Sequence, residues 1–155
     1  MASHDATNRL DPAPTRALAL DLRDVILGGV AFQQVRAARL GLGSTDLTAL
    51  GHIYLAGPLT PGDLAVRLGL TSGSVTPLVD RIQAAGFVIR DTNPDDRRSS
   101  LVKTTPAGNS TMKEFYDELD DVVRSAVAAP PVVADSTMGE VFLKTANALK
   151  AHVAR

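Results

Sequence analysis

Two clusters of side chains in this 155-residue chain have types and spacings suited to chemistry. The first is Ser72, Ser74 and Thr76 with Pro77, small groups at the start of an apolar-periodic stretch. Short hydroxyls at a helix N-terminus can cap free backbone N–H groups, and Thr71 is expected to do so. The remaining ones exceed what a cap needs. They let a helix end sit close to phosphates and base edges, with its unpaired N–H groups turned toward the anion. The second cluster is Asn93-Pro94-Asp95-Asp96, followed at once by Arg97 and Arg98. Asn, Pro and Asp are turn chemistry, and a charged turn alone is ordinary solvated surface. Two arginines at a hairpin tip beside such a helix suit instead the narrow, electronegative minor groove of DNA. An aspartate just before them can hold a guanidinium by a charge-assisted hydrogen bond. Arg81, one turn beyond Pro77, has two readings: a phosphate contact, or an ion pair with an acid of the protein.

The elements that must position these groups follow from periodicity and punctuation. Pro61 to Leu68 reads as a short helix with Thr60 as N-cap, Pro61 at the first position and Asp63 at the third. Leu64, Leu68, Leu70, Val75 and Leu78 are its apolar positions and those of its successor, Ala65 is small where the two would cross, and Gly69 stands where the turn needs a positive φ. The second helical pattern runs from Thr71 to Ala85 and stops at Gly86; Pro77 inside it should bend or loosen its first turns. Phe87-Val88-Ile89 and Leu101-Val102 then flank the arginine tip as a hairpin. Residues 61–104 thus predict a winged helix-turn-helix.

Upstream, Pro14 to Arg39 predicts a long helix whose Gly28-Gly29 pair marks either a kink or the close approach of a partner helix. Gly41 and Gly43 break the chain, and Ser44 is expected to cap a helix bearing Leu47, Leu50 and Ile53. Downstream, Thr105-Pro106 opens a helix striped by Met112, Phe115, Tyr116, Leu119, Val122, Val123 and Ala126, which Ala129-Pro130-Pro131 ends. Thr137 with Glu140 forms a capping-box pair for a last helix bearing Val141, Phe142, Leu149 and Val153. The expected layout is a flexible arm (1–12), an N-terminal dimerisation helix (13–42), the winged helix-turn-helix lobe (44–104) and C-terminal dimerisation helices (105–155). The terminal helices cannot bury their stripes against so small a lobe, so pairing of two chains is the economical solution.

The totals agree. Aromatics are 4% with no Trp, so packing relies on aliphatic side chains. The formal net charge is −1, an unpromising sum for a nucleic-acid binder, but residues 67–103 hold six basic against four acidic side chains, which places positive potential near the hairpin. With no cysteine, thiolate and disulfide chemistry are excluded. His4, His52 and His152 fall in three separate segments without metal spacing, and no phosphate-cradling glycine loop or nucleophile elbow appears. Neither an enzyme nor a metal or cofactor is expected. Met1 to Leu10 lacks an apolar core and no run reaches the roughly 20 apolar residues of a membrane span, so a cytoplasmic protein is expected.

Leu64 to Leu70, Ser74 to Ile82, Gly86 to Arg90, Asn93 to Arg98 and Thr105-Pro106-Ala107-Gly108, in that order and spacing, resemble the MarR family of bacterial transcriptional regulators. The likeness covers roughly residues 15–153. It implies a mainly α homodimer with a small β-wing, in which the second helix of the motif enters the major groove of double-stranded DNA and the wing the minor groove. Ser72, Ser74, Thr76, Pro77 and Arg81 would then lie on the recognition helix. Asp96 would orient a wing arginine, Arg98 would reach the minor groove and Arg97 would face phosphate. Thr104 departs from the leucine usual at its position. The resemblance further implies a repressor of a pseudo-palindromic operator and a pocket for a small-molecule effector, with candidate lining Phe32, Val35, Arg39, His52, Tyr54 and Phe115. Each of these six also reads as plain core or surface, and a repressor without an effector stays open. The alternative for the whole chain is a winged helix used only for protein contact; acids across the edge of the recognition helix or loss of the wing arginines would favour it, whereas both arginines are present and that edge is uncharged and small.

Overall fold

The computed structural model describes residues 12–94, 96, 99–128 and 136–153. The chain runs α1 (Pro12–Arg39), α2 (Ser44–Ala56), α3 (Pro61–Leu68), α4 (Ser72–Ala84), β1 (Val88–Thr92), β2 (Ser100–Thr104), α5 (Pro106–Val127) and α6 (Ser136–Val153). It is mainly helical with a two-stranded antiparallel wing, as the sequence predicts. Two compact units result, Met1–Met112 and Lys113–Arg155, and α5 contributes to both.

Local chemistry sets most boundaries of the first unit. Thr60 caps α3: its hydroxyl accepts from the Asp63 N–H at 3.1 Å, and the Asp63 carboxylate accepts from the Thr60 N–H at 3.3 Å. Gly69 ends α3 with φ at 65°, a left-handed conformation that glycine adopts without the Cβ penalty. Two expected caps differ. Ser44 is the first helical residue of α2, not its cap; Gly43 holds the cap position and its N–H donates to the Asp46 carboxylate at 3.1 Å. Thr71 stands at the cap of α4, but its hydroxyl pairs with the Ser74 hydroxyl at 2.9 Å instead of a backbone N–H. A neighbouring hydroxyl has displaced the backbone as its partner. α1 starts two residues before the expected Pro14 and continues through Gly28-Gly29, and α4 continues through Pro77.

The core gathers one face from each element: Leu47, Leu50 and Ile53 of α2, Leu64 of α3, Val75, Leu78, Val79 and Ile82 of α4, Val88, Val102 and Met112, all essentially inaccessible. Ala65 is buried where α3 packs on α4. Burying such side chains contributes about 1.5–3 kcal/mol each and supplies most of the drive to fold. In the wing Arg90 lies opposite Val102 and Asp91 opposite Leu101. A one-residue bridge adds Leu59 to the other edge of β2, with Leu59 N–H donating to Val102 O at 3.0 Å and Val102 N–H to Leu59 O at 2.8 Å. The wing is therefore sewn to the segment that opens α3.

A tight knot joins the wing's two ends to α5. Thr105 N–H donates to Phe87 O at 3.0 Å, the Thr105 hydroxyl donates to Gly86 O at 2.7 Å, and Gly108 N–H donates back to that hydroxyl at 3.0 Å. A Cβ on Gly108 would stand 2.1 Å from Phe87 O, so only glycine fits there.

In the second unit, ion pairs Lys113–Asp117, Arg124–Asp120 and Lys144–Glu140 line helix surfaces at i, i+4, and Phe115 meets Tyr116 edge-on with ring centroids 5.3 Å apart. The expected break at Ala129-Pro130-Pro131, the Thr137 side chain and most of the expected arm 1–12 lie outside the described residues. Val25, Ile26 and Val30 of α1 and Val141, Phe142 and Leu143 of α6 are each about half exposed or more.

Candidate nucleic-acid interface

Helix α4 sorts its residues cleanly. Val75, Leu78, Val79 and Ile82 recur at three- and four-residue steps and are buried, which turns the opposite face of α4 outward. Ser72, Ser74, Thr76 and Pro77 lie on that exposed face. An apolar stripe thus holds the helix while its first two turns stay uncharged, small and accessible.

Arg81 is exposed along much of its length but not unengaged. Its Nε donates to one Asp46 oxygen at 3.0 Å and its Nη2 to the other at 2.6 Å, a bidentate fork. Asp46 is almost fully buried, whereas the Arg81 side chain remains 57% exposed. Hydrogen bonding to Asp46 raises the guanidinium pKa above its ordinary range, so the cation persists at any physiological pH. Of the two readings that the sequence allowed, the ion pair with an acid of the protein is present. Asp46 was not singled out in the sequence; the available signal was an acid beside Leu47, the one carboxylate of its helix.

The wing is braced against α4. Arg90 of β1 donates to Asp80 at 2.6 Å and to Gln83 at 2.8 Å, both on α4. Across the wing Lys103 donates to Asp91 at 2.5 Å. This bond, with a second from Thr92 N–H, lowers the Asp91 pKa. Where the strands meet the tip loop, Asn93 is nearly buried and its Nδ2 donates to the Ser99 hydroxyl at 2.8 Å. Ser99 in turn donates to Asp96 O through its N–H at 3.0 Å and its hydroxyl at 3.1 Å. Asp96 is exposed at the end of this ladder. Asp95, Arg97 and Arg98 lie outside the described residues. An open cleft of ≈ 640 Å³ separates the wing's tip loop from the start of α3, lined by Thr60, Asp63, Asn93, Asp96 and Ser99 among others. Hydrogen bonds from Thr60 lower the pKa of Asp63, so the cleft is anionic near neutral pH and does not suit a phosphate.

The candidate effector residues are dispersed. Phe32, His52 and Tyr54 are half-buried on α1 and α2, while Val35 and Arg39 are exposed. Phe115 belongs to the second unit. The first unit alone supplies only five of the six. Among the described residues, no group of three or more His, Asp or Glu is placed to hold a metal, and no helix is long and apolar enough to cross a membrane.

Residues 40–99, from the end of α1 to the wing's return, match the model of the MarR family. The match spans 60 of the 155 residues and gives this segment the character of a MarR-type lobe. A curated relative, the uncharacterized HTH-type transcriptional regulator YcgE of Bacillus subtilis, is 40% identical over 92 residues, spanning 59% of this chain and 60% of the relative. The chain spans about half to three-fifths of the length of the curated relatives it matches. Among solved structures, a MarR transcriptional regulator from Methanosarcina mazei Go1 superposes with a TM-score of 0.67 at 15% identity, over 90% of this chain and 98% of that one. The S. aureus MepR–DNA complex superposes with a TM-score of 0.59 at 17% identity, over 83% and 97% of the two chains. At such identities the likeness is one of fold. Within this MarR lobe, Arg81, Arg90 and Lys103 are tied to acids of the same lobe, and its cationic character thins accordingly.

Proposed function

We propose that this chain is a sequence-specific, duplex-DNA-binding transcriptional regulator that works as a homodimer. The observation that carries this reading is the outward edge of α4: small, uncharged and hydroxyl-bearing over its first two turns, on a helix locked to its neighbours by the Asp46–Arg81 fork and the Arg90 brace. Such an edge can approach base pairs closely, with helix N–H groups on the flanking phosphates. Ser72, Ser74 and Thr76 read base edges, and Arg81 offers its exposed side to the backbone. Arg97 faces phosphate, Asp96 orients Arg98, and Arg98 enters the minor groove. The MarR-family match of residues 40–99 and the DNA-bound state of the structurally similar MepR support the reading.

Dimerisation joins two such lobes through the exposed apolar faces of the terminal helices, and the operator is a pseudo-palindrome with half-sites about one helical turn apart. Occupying a promoter makes the protein a repressor. A small-molecule effector acts by favouring a separation of the lobes that the duplex does not fit, and its effect is bounded by its differential affinity for the two states. The cytoplasm is the compartment where such a regulator meets DNA. Selection of bound duplexes from a random pool, followed by titration with salt, tests the proposal. A two-fold-related consensus whose affinity falls steeply with salt is expected; no preference for any duplex over a scrambled one at any ionic strength refutes it.

A further inference from the structure

The fold does not explain why residue 73 is glycine. Gly73 lies in the first turn of α4, is exposed, and is not among the glycines with positive φ. A Cβ built there meets nothing within 4 Å. Neither a turn nor close packing within the chain calls for glycine, and an exposed helical glycine is less stable than alanine. Four residues on stands Pro77, also exposed, and residues at i and i+4 of a helix lie one above the other on the same face. The outward face of α4 therefore carries a shallow recess, one methyl group in depth, beside the apolar pyrrolidine ring.

We propose that Gly73 is a specificity-determining residue, and that the recess beside Pro77 takes the C5-methyl of a thymine in the major groove. This rests on the duplex-binding reading and adds a base preference to it. Thymine is the base whose major-groove edge offers a methyl group; the other edges present donors and acceptors that an apolar ring would leave unsatisfied. Any side chain at 73 would fill the space the methyl needs. A purely structural account is distinguishable. The ring of a proline inside a helix crowds the carbonyl four residues back, here that of Gly73. If glycine were kept only to relieve that crowding, alanine would destabilise the fold.

The test crosses protein and DNA substitutions. Full-length wild type and Gly73→Ala are titrated against the duplex selected from the random pool, and against versions in which single thymines are replaced by deoxyuridine, which removes only the methyl. For wild type, one position in each half-site should lose roughly fourfold in affinity per methyl removed. Gly73→Ala should bind the parent duplex more weakly, show no further loss at that position, and melt at or above the wild-type temperature. The inference is overturned if no single methyl matters to wild type, if the deoxyuridine penalty persists undiminished in the variant, or if the variant melts lower. A wild type that selects no duplex overturns this inference together with the duplex-binding reading; selection without methyl sensitivity overturns the recess alone.

Discussion

Asp46 and Arg81 show how much one pair of side chains can decide. Its two ends are unequal: the acid is buried and the base half in water. Removing Arg81 strands a buried carboxylate, whereas removing Asp46 strands a cation that water can reach. Arg81→Ala is therefore expected to lower the melting temperature more than Asp46→Ala, the reverse of what surface arginines usually do; calorimetry of both variants checks it. Arg98 is expected to act on binding alone. Arg98→Ala should weaken binding to a selected duplex by about 1–3 kcal/mol while leaving the melting temperature unchanged. At Asp63 the folded-state pKa lies below its ordinary 3.8, through hydrogen bonds from Thr60. A lowered carboxylate pKa stabilises the fold above the unfolded value and loses that contribution as pH falls through the folded one. Thr60→Ala should cost about 1 kcal/mol at pH 7, and the gap to wild type should narrow below about pH 4, as denaturant titrations at the two pH values would show.

At the level of elements, the lobe reads as a set of parts pinned at few points. Gly108 is one: alanine there drives Cβ into the Phe87 carbonyl, so Gly108→Ala should cost about 1–3 kcal/mol in chemical denaturation. What was legible in the sequence were the features that local chemistry dictates. The Thr60–Asp63 box, the positive φ at Gly69, the buried 75-78-79-82 stripe and the outward hydroxyls all follow from spacing within one helix or turn. What was not legible depends on partners distant in sequence. Arg81 meets an acid 35 positions away, and Arg90 meets one 10 positions back on a different element. Leu59 joins the wing as a single-residue bridge, too short for any periodicity to announce. The two caps differ for a local reason: Gly43 takes the cap position of α2 with its N–H on the Asp46 carboxylate, and the Thr71 hydroxyl pairs with that of Ser74.

For the whole molecule, the exposed aliphatic faces of α1 and α6 weigh most. Leu18, Leu20, Val25, Ile26 and Leu27 are each about half exposed or more, a large apolar surface for one helix in water. The proposed pairing covers it. Sedimentation at micromolar concentration should give a dimer, and the double variant Ile26→Glu with Val30→Glu should give a monomer. Losing the second lobe should lower affinity for a two-fold operator roughly a hundredfold or more, since each lobe raises the local concentration of the other. A monomeric wild type that binds such an operator tightly would contradict the pairing.

The Asp46 carboxylate also grips the N–H of Gly43, at the corner that follows α1, and so ties that corner to the recognition helix. This sets the smallest portable reader. A fragment excised from Thr60 to Thr104 would leave behind Asp46, the anchor of Arg81, together with the buried Leu47, Leu50 and Ile53 of α2 and the bridging residue Leu59. Grafting the specificity of this chain onto another scaffold therefore means cutting ahead of Gly43, because the residue that steadies the reading head is borrowed from outside it.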